Sequence, residues 1–152
     1  MLIEHFKVEP NQNTIDLGCG YGPIGMAIAQ QCPHGHVHLV DKDFVAVEYA
    51  TRNAERNGLT HCQAYLSNAL HHVPTDFVPD NIVSNLPAKV GKELLNIILQ
   101  QSFERLPVGG RLCVVTISGL RDWAKRNFRE VFGNYKKLKQ GKTYAVSMAV
   151  KE

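Results

Sequence analysis

The segment Asp16-Leu17-Gly18-Cys19-Gly20-Tyr21-Gly22-Pro23 constrains this chain more than any other. It continues a short apolar run, Thr14-Ile15-Asp16-Leu17, and precedes Ile24, Ala27 and Ile28 at helical spacing. Glycines at such a junction let the backbone turn sharply and approach a ligand closely. Pro23 suits a first helical turn, where its missing N–H is not needed. The chain must therefore pass from a buried strand through a tight loop into a helix, a unit that belongs to α/β architectures.

The rest of the chain repeats that alternation. Strands are predicted over 36–40, with Asp41 at the end, and over 62–66, 81–84 and 112–117. A helix over about 43–57 buries Ala46, Val47, Ala50 and Ala54 and stops at Gly58. A second, over 92–106, turns Leu94, Leu95, Ile98, Leu99 and Leu106 inward. A third covers about 120–132. Two last strands, 135–139 and 144–150, flank Gln140-Gly141-Lys142. They must pair antiparallel, because parallel neighbours need a long crossover. The expected fold is α/β: a seven-stranded, mostly parallel sheet with an antiparallel last strand and helices on both faces. The whole chain, 1–152, is read as one domain.

Apolar residues make up 44% and charged residues 20%, an ordinary globular balance. No apolar run suits a bilayer span, and no leader pattern opens the chain. Cys19, Cys32, Cys62 and Cys113 form no Cys-x-x-Cys pair, so reduced thiols and a cytoplasmic location are expected. Cys32, His34, His36 and His38 alternate, but their spacing fits no usual zinc site, and no metal is expected. Charge is unevenly placed. From Arg105 onward lie eleven of the 17 Lys+Arg but only three of the 14 Asp+Glu. Arg121, Lys125 and Arg129 share one helix face, followed by Lys136, Lys137, Lys139 and Lys142. This basic C-terminal third can attract RNA phosphates; a solvated face is the plainer alternative.

Gly20-Tyr21-Gly22-Pro23-Ile24-Gly25 fits G-x-G-x-x-G literally, which suits a dinucleotide enzyme as well. Asp41 can accept hydrogen bonds from ribose hydroxyls in either class. Two features separate them. Asp16 would repel a pyrophosphate but tolerate a ligand carrying an amine and a sulfonium. The chain also closes with an antiparallel pair rather than a second mononucleotide half.

The run Asp16 to Gly22 resembles the first motif of class I S-adenosylmethionine-dependent methyltransferases. The likeness continues through Asp41, Ser67-Asn68-Ala69 and Ser84-Asn85-Leu86-Pro87-Ala88. Lys89-Val90-Gly91-Lys92 and Val131-Phe132-Gly133-Asn134 extend it. The chain is similar to the methyltransferase small domain family, which includes ribosomal RNA guanine methyltransferases. The resemblance implies a Rossmann-like sheet and S-adenosyl-L-methionine as cofactor. It places backbone near Gly18 and Gly20 beside the methionine part, with Asp16 at its amine, and counts Cys19 and Tyr21 among the cofactor-binding residues. Asp41 would take the ribose, Lys42 would border the adenine, and Asn68, next to Ala69, would meet the adenine amine. Asn68 stands where the family usually has Asp, so that bond lacks charge assistance.

The resemblance also implies a catalytic corner at Asn85, Leu86 and Pro87, with Asn85 touching the cofactor too. The Asn85 side chain and the Leu86 carbonyl would accept hydrogen bonds from a substrate amine and aim its lone pair at the methyl group. The expected reaction is methylation of an exocyclic amine of guanine in ribosomal RNA. Leu86 and Ala88 depart from the family's Asn-Pro-Pro-aromatic pattern. A cofactor-binding protein with a decayed motif is therefore one alternative, and a nicotinamide-dependent oxidoreductase a more distant one. Oligomeric state is left open. Methyltransferases that this chain resembles usually carry added residues before the first helix, whereas this sequence starts almost directly at it, and Ala88 offers no stacking surface. Substrate selection is expected to depend on something outside these residues: a preceding segment, a second subunit or the folded RNA.

Overall fold

The computed structural model describes residues 2–86 and 91–152. The elements in order are α1 (Leu2–His5), β1 (Thr14–Leu17), α2 (Pro23–Gln31), β2 (Val37–Asp41), α3 (Phe44–Arg56), β3 (Cys62–Leu66) and β4 (Asn81–Asn85). They continue with α4 (Lys92–Arg105), β5 (Arg111–Ile117), a 3₁₀ turn (Ser118–Leu120), α5 (Arg121–Phe132), β6 (Lys136–Gln140) and β7 (Tyr144–Val150). One seven-stranded sheet runs β3-β2-β1-β4-β5-β7-β6. The pairs from β3 to β5 are parallel, and β7 is antiparallel to both its neighbours. This is the expected Rossmann-like sheet, and β7 is the antiparallel strand.

Strand residues alternate between two faces, and two cores follow from that. Ile82, Leu112 and Val114 point to one face, where they meet Leu95, Ile98 and Leu99 of α4 and Ala124, Phe128 and Phe132 of α5. Val83, Cys113 and Val115 point to the other, against Ile28 and Ala29 of α2 and Ala50 of α3. Each large apolar side chain buried this way contributes ~1.5–3 kcal/mol. All four residues of β1 are buried, because helices cover it on both faces.

Three local features differ from the sequence reading. α1 was not foreseen; Leu2 and Phe6 anchor it in the second core, and the Arg111 guanidinium lies 4.2 Å from the Phe6 ring centroid. β4 runs one residue further, so Asn85 is its last residue rather than a loop position. Leu94 does not turn inward. The inward stripe of α4 is Leu95, Ile98, Leu99 and Ser102, and Leu94 falls beside it.

Helix ends are set locally. The Asp43 carboxylate accepts the Val45 N–H at 2.9 Å and starts α3 directly after Asp41. Gly133, at φ 82°, ends α5 in a conformation that costs glycine little. The Asn134 side chain then bonds both the carbonyl and the N–H of Val150, fixing the α5–β6 link to β7. No helix among the described residues is long and apolar enough to cross a membrane. All four cysteines are free, and burial pushes their thiols up, Cys62 to about 11 and Cys113 to about 12.

Candidate functional site

β1, β2 and β4 end at the same edge of the sheet. The strand order reverses between β1 and β4, so their following segments diverge and leave a crevice. The cleft there takes Leu17 and Gly18 from the end of β1, Asp41 and Lys42 from β2, and Ser67, Asn68 and Ala69 from the turn after β3. Ser84, Asn85 and Leu86 close the β4 side, and Leu94 and Ile98 of α4 form an apolar wall.

Asp41 is held from two sides. Its Oδ2 accepts the Gly20 N–H at 2.9 Å and its Oδ1 accepts the Asp43 N–H at 3.0 Å. Each carboxylate oxygen has a second lone pair, so the fixed group can still receive two hydroxyls. Asp16 behaves differently. It is buried beneath the loop and does not line the cleft. Its Oδ2 accepts the Gly25 N–H at 2.9 Å. Burial pushes its carboxyl up to about 7; the Gly25 bond opposes the shift and the Asp41 charge adds to it. Near neutral pH its charge is thus only partial, which weakens the repulsion argument drawn from the loop sequence.

A pyrophosphate binds the free N–H groups of a glycine loop and helix N-terminus. Here Gly18 and Cys19 donate to the Val40 carbonyl, Gly20 to Asp41, Gly22 to the Cys19 carbonyl, Gly25 to Asp16 and Met26 to the Gly22 carbonyl. Pro23 has no N–H. The loop is tied inward, and little is left for a phosphate. Gly25 permits this closure: a Cβ there would stand 2.0 Å from Leu39 Cδ2 and 2.9 Å from Asp16 Oδ2. Gly18, at φ 70°, presents bare backbone to the cleft.

The remaining loop residues lie outside the cleft lining. Cys19 is buried, with Sγ 3.3 Å from the Gly20 carbonyl. Tyr21 is 62% exposed, and its carbonyl accepts from Asn53 of α3. Of the residues expected around the cofactor, the structure therefore gathers Gly18, Asp41, Lys42, Asn68, Ala69 and Asn85. Asp16, Cys19, Gly20 and Tyr21 support the loop from behind or flank it.

Asn68 sits on a tightly bonded turn. Its N–H donates to His72 Nδ1 at 3.1 Å, and Ser67 Oγ donates to the Ala69 carbonyl at 2.6 Å. Ala69 is at φ 50°, unusual for a residue with a Cβ. α4 holds this turn from below. Gln101 accepts the Leu70 N–H, and the Arg105 guanidinium donates to the Leu70, Val73 and Pro74 carbonyls.

On the opposite side Asn85 is exposed at the tip of β4. Leu86 is buried, and its N–H donates to the Val115 carbonyl at 3.0 Å. Pro87, the third expected catalytic residue, lies outside the described residues, as does Ala88. Sequence reasoning missed Ser84, whose Oγ donates to the Leu17 carbonyl at 2.8 Å and ties the two strand tips together. It also missed Leu94 and Ile98 as cleft wall. The signal for Leu94 was present, since it lies off the i, i+3, i+4, i+7 stripe.

The alternating Cys/His row disperses. His38 stacks on Phe77, ring centroids 3.7 Å apart, with Nδ1 2.8 Å from the Tyr65 hydroxyl. Burial lowers its pKa to about 4. Cys32 donates to the Ile28 carbonyl, while His34 and His36 are exposed. No three metal-ligating side chains converge among the described residues.

A carboxylate fixed at the end of β2, an apolar wall from α4 and an exposed Asn at the tip of β4 together line one cleft of a Rossmann-like sheet. Comparison with known proteins gives the particular class. The methyltransferase small domain model matches residues 1–148, and the chain belongs to that family. It is a methyltransferase domain, and membership implies S-adenosyl-L-methionine as its cofactor. YbxB of Bacillus subtilis is 34% identical over 116 residues, covering 76% of this chain and 58% of that protein. Ribosomal RNA large subunit methyltransferase G of Shewanella sp. (strain W3-18-1) is 31% identical over 121 residues, covering 76% of this chain and 32% of that protein. Among solved structures, the Thermus thermophilus 16S rRNA N2 G1207 methyltransferase in complex with AdoMet and guanosine superposes with a TM-score of 0.84 at 26% identity. That match covers 95% of this chain and 38% of the other. The chain thus spans between about a third and three fifths of the length of these relatives.

Proposed function

We propose that this domain transfers a methyl group from S-adenosylmethionine to an exocyclic amine of guanine in ribosomal RNA. The observation that carries the reading is the pairing of a doubly held Asp41 with an exposed Asn85 across one cleft. Asp41 would receive the ribose hydroxyls, Lys42 and Asn68 would border the adenine, and Leu94 and Ile98 would cover its ring. When bound, the cofactor supplies an electrophilic methyl group on a sulfonium. Two relatives named as ribosomal RNA methyltransferases, one of them with guanosine bound, support the substrate class.

The chain's own contribution is positioning. Asn85 Oδ1 and the Leu86 carbonyl accept the two amine hydrogens. The nitrogen lone pair is then the remaining direction, and it points at the methyl group. Such alignment is worth up to ~7–11 kcal/mol. No strong base is needed, because the proton becomes acidic once the nitrogen is methylated and can pass to water. The Leu86 N–H bond to Val115 restrains Leu86 itself, where the family uses Pro, which favours a working corner over a decayed one. An RNA substrate also accords with a cytoplasmic location and with the basic C-terminal third as the polyanion-facing surface.

The test is transfer of labelled methyl groups to naked ribosomal RNA and to assembled ribosomal particles, followed by mapping of the modified nucleotide. Labelled N-methylguanine at a defined position is expected. Binding of S-adenosylmethionine without transfer to any RNA would instead establish the cofactor-binding alternative.

A further inference from the structure

A second concavity lies at the β6 edge of the sheet. Arg121, Lys125 and Arg129 of α5 face Lys136 and Lys137 of β6 across a groove that also holds Tyr135. Through Arg121, Asp122 and Gln140 it continues into a hollow bordered by Ser118, Gly119 and Lys142. Asp122 is the only acid among the lining residues, 3.9 Å from the Arg121 Nε. The Lys137 ammonium donates to the Gln140 side chain at 3.0 Å. Among the described residues Lys125, Arg129 and Lys136 enter no ion pair.

Lysines on an exposed edge strand discourage unwanted sheet pairing. That accounts for Lys136, Lys137 and Lys139, but not for the stripe on α5. Arg121, Lys125 and Arg129 are one turn apart and span ~12 Å of helix. Two independent elements thus present cations to one groove.

Strand register relates this groove to the catalytic corner. Asn85 pairs with Val115, Val115 with Val146, and Val146 with Lys139, so the four share one row across the sheet. The next row holds Thr116, Ala145 and Gln140. At ~4.8 Å per strand, the upper end of the groove lies ~14 Å from Asn85, at the same height. A nucleic-acid strand with a phosphate every few ångströms spans that distance in a few nucleotides.

We propose that the α5–β6 groove is a phosphate track that holds the RNA strand on one side of the target nucleotide. This rests on the RNA reading above. Arginine forks and lysine ammonium groups match phosphate oxygens and carry no base preference. The track therefore sets affinity and register, and leaves base choice to the corner at Asn85. The direction is defined as well: the strand runs from the Arg129–Lys136 end, past Arg121 and Lys142, to the tip of β4.

The test uses labelled single-stranded RNA, with affinity measured by fluorescence anisotropy over a range of potassium chloride concentrations. The chain is compared with a Lys125→Ala/Arg129→Ala/Lys136→Ala variant and with an Arg52→Ala/Arg56→Ala control on α3. Single strands lose ~0.7 in the slope of log K against log salt for each phosphate released. The triple variant should therefore flatten the slope by ~2 and bind RNA more than tenfold more weakly at low salt. Its affinity for S-adenosylmethionine, read by calorimetry, should match the parent, and the control should bind RNA as the parent does. If the triple variant melts early, Lys125→Gln alone should flatten the slope by ~0.7. An unchanged slope with RNA still bound overturns the track and leaves the RNA methyltransferase reading intact. Anionic phospholipid vesicles bound through these residues in place of RNA overturn it in favour of a membrane surface. Failure of the RNA reading itself appears separately, as absence of methyl transfer from the parent chain.

Discussion

The two sides of the cleft are held very differently. On the β1–β2 side the glycine loop is closed by its own amides, and both Asp16 and Asp41 serve as internal acceptors. The turn bearing Asn68 is likewise held, by Ser67, His72, Gln101 and Arg105. On the β4 side Asn85 is exposed at a strand tip, and no hydrogen bond holds its side chain among the described residues. Under the proposed function, the side that would hold the cofactor is preorganised by the chain, and Asn85 on the other side would meet the substrate. Preorganised donors and acceptors cost no rearrangement when the ligand arrives. An Asn side chain with no hydrogen bond among the described residues would instead be able to adapt to a substrate.

That contrast can be broken in graded steps. Asn85→Ala should lower the rate of methyl transfer about a thousandfold, about 4 kcal/mol, while raising the cofactor Kd no more than severalfold. Single-turnover rates beside calorimetry separate the two; a large loss of cofactor affinity would mean that Asn85 belongs to the preorganised side.

Asp16 gives the next effect. Its carboxyl is raised to about 7 in the folded chain. Between its ordinary value and 7 the folded form keeps a proton that the unfolded chain has released. Stability contributed by this group is therefore full at low pH and declines as pH rises through that window, by up to about 4 kcal/mol. Asp16→Asn should remove this component, so denaturation midpoints of parent and variant should diverge with pH between about 4 and 7. Parallel pH profiles would show that Asp16 is solvated and charged.

Asp41→Ala should weaken S-adenosylmethionine binding about a hundredfold, about 3 kcal/mol, because it removes the ribose acceptor and unties Gly20 and Asp43. Gly25→Ala should cost about 2 kcal/mol of stability, since its methyl group meets Leu39 and the Asp16 carboxylate. Smallest is Leu86→Pro. Restoring the family's residue removes the N–H that bonds Val115, so it should cost about 1 kcal/mol in a denaturant titration rather than stabilise the loop.

Much of the β1–β2 side of the cleft is legible in the sequence. β3 spans the predicted 62–66, and the ends of β1 and β2 fell where the glycine loop and Asp41 required. Those features depend on local periodicity and on residue types with narrow conformational uses, glycine, proline and an N-cap aspartate. What escaped depends on contacts between distant segments. The inward bonding of the loop needs Val40 and Asp41 beside it, and the burial of Asp16 needs both helix layers. The role of Ser84 needs the neighbouring strand tip. The turn at Ala69 adopts a positive φ that alanine does not advertise, because Gln101 and Arg105 on α4 anchor the chain that follows it. α1 escaped for the same reason: four residues form a helix there only because Leu2 and Phe6 are buried.

The central claim is that the preorganised side of this cleft is built for an adenosyl sulfonium rather than a dinucleotide. Isothermal titration of the chain with S-adenosylmethionine, its demethylated product and NAD tests this most directly. The account predicts saturable binding of the first two, weakened together in Asp41→Ala, and no heat from NAD, because most of the loop amides that a pyrophosphate would use are already bonded. Saturable binding of NAD with none of S-adenosylmethionine would contradict it.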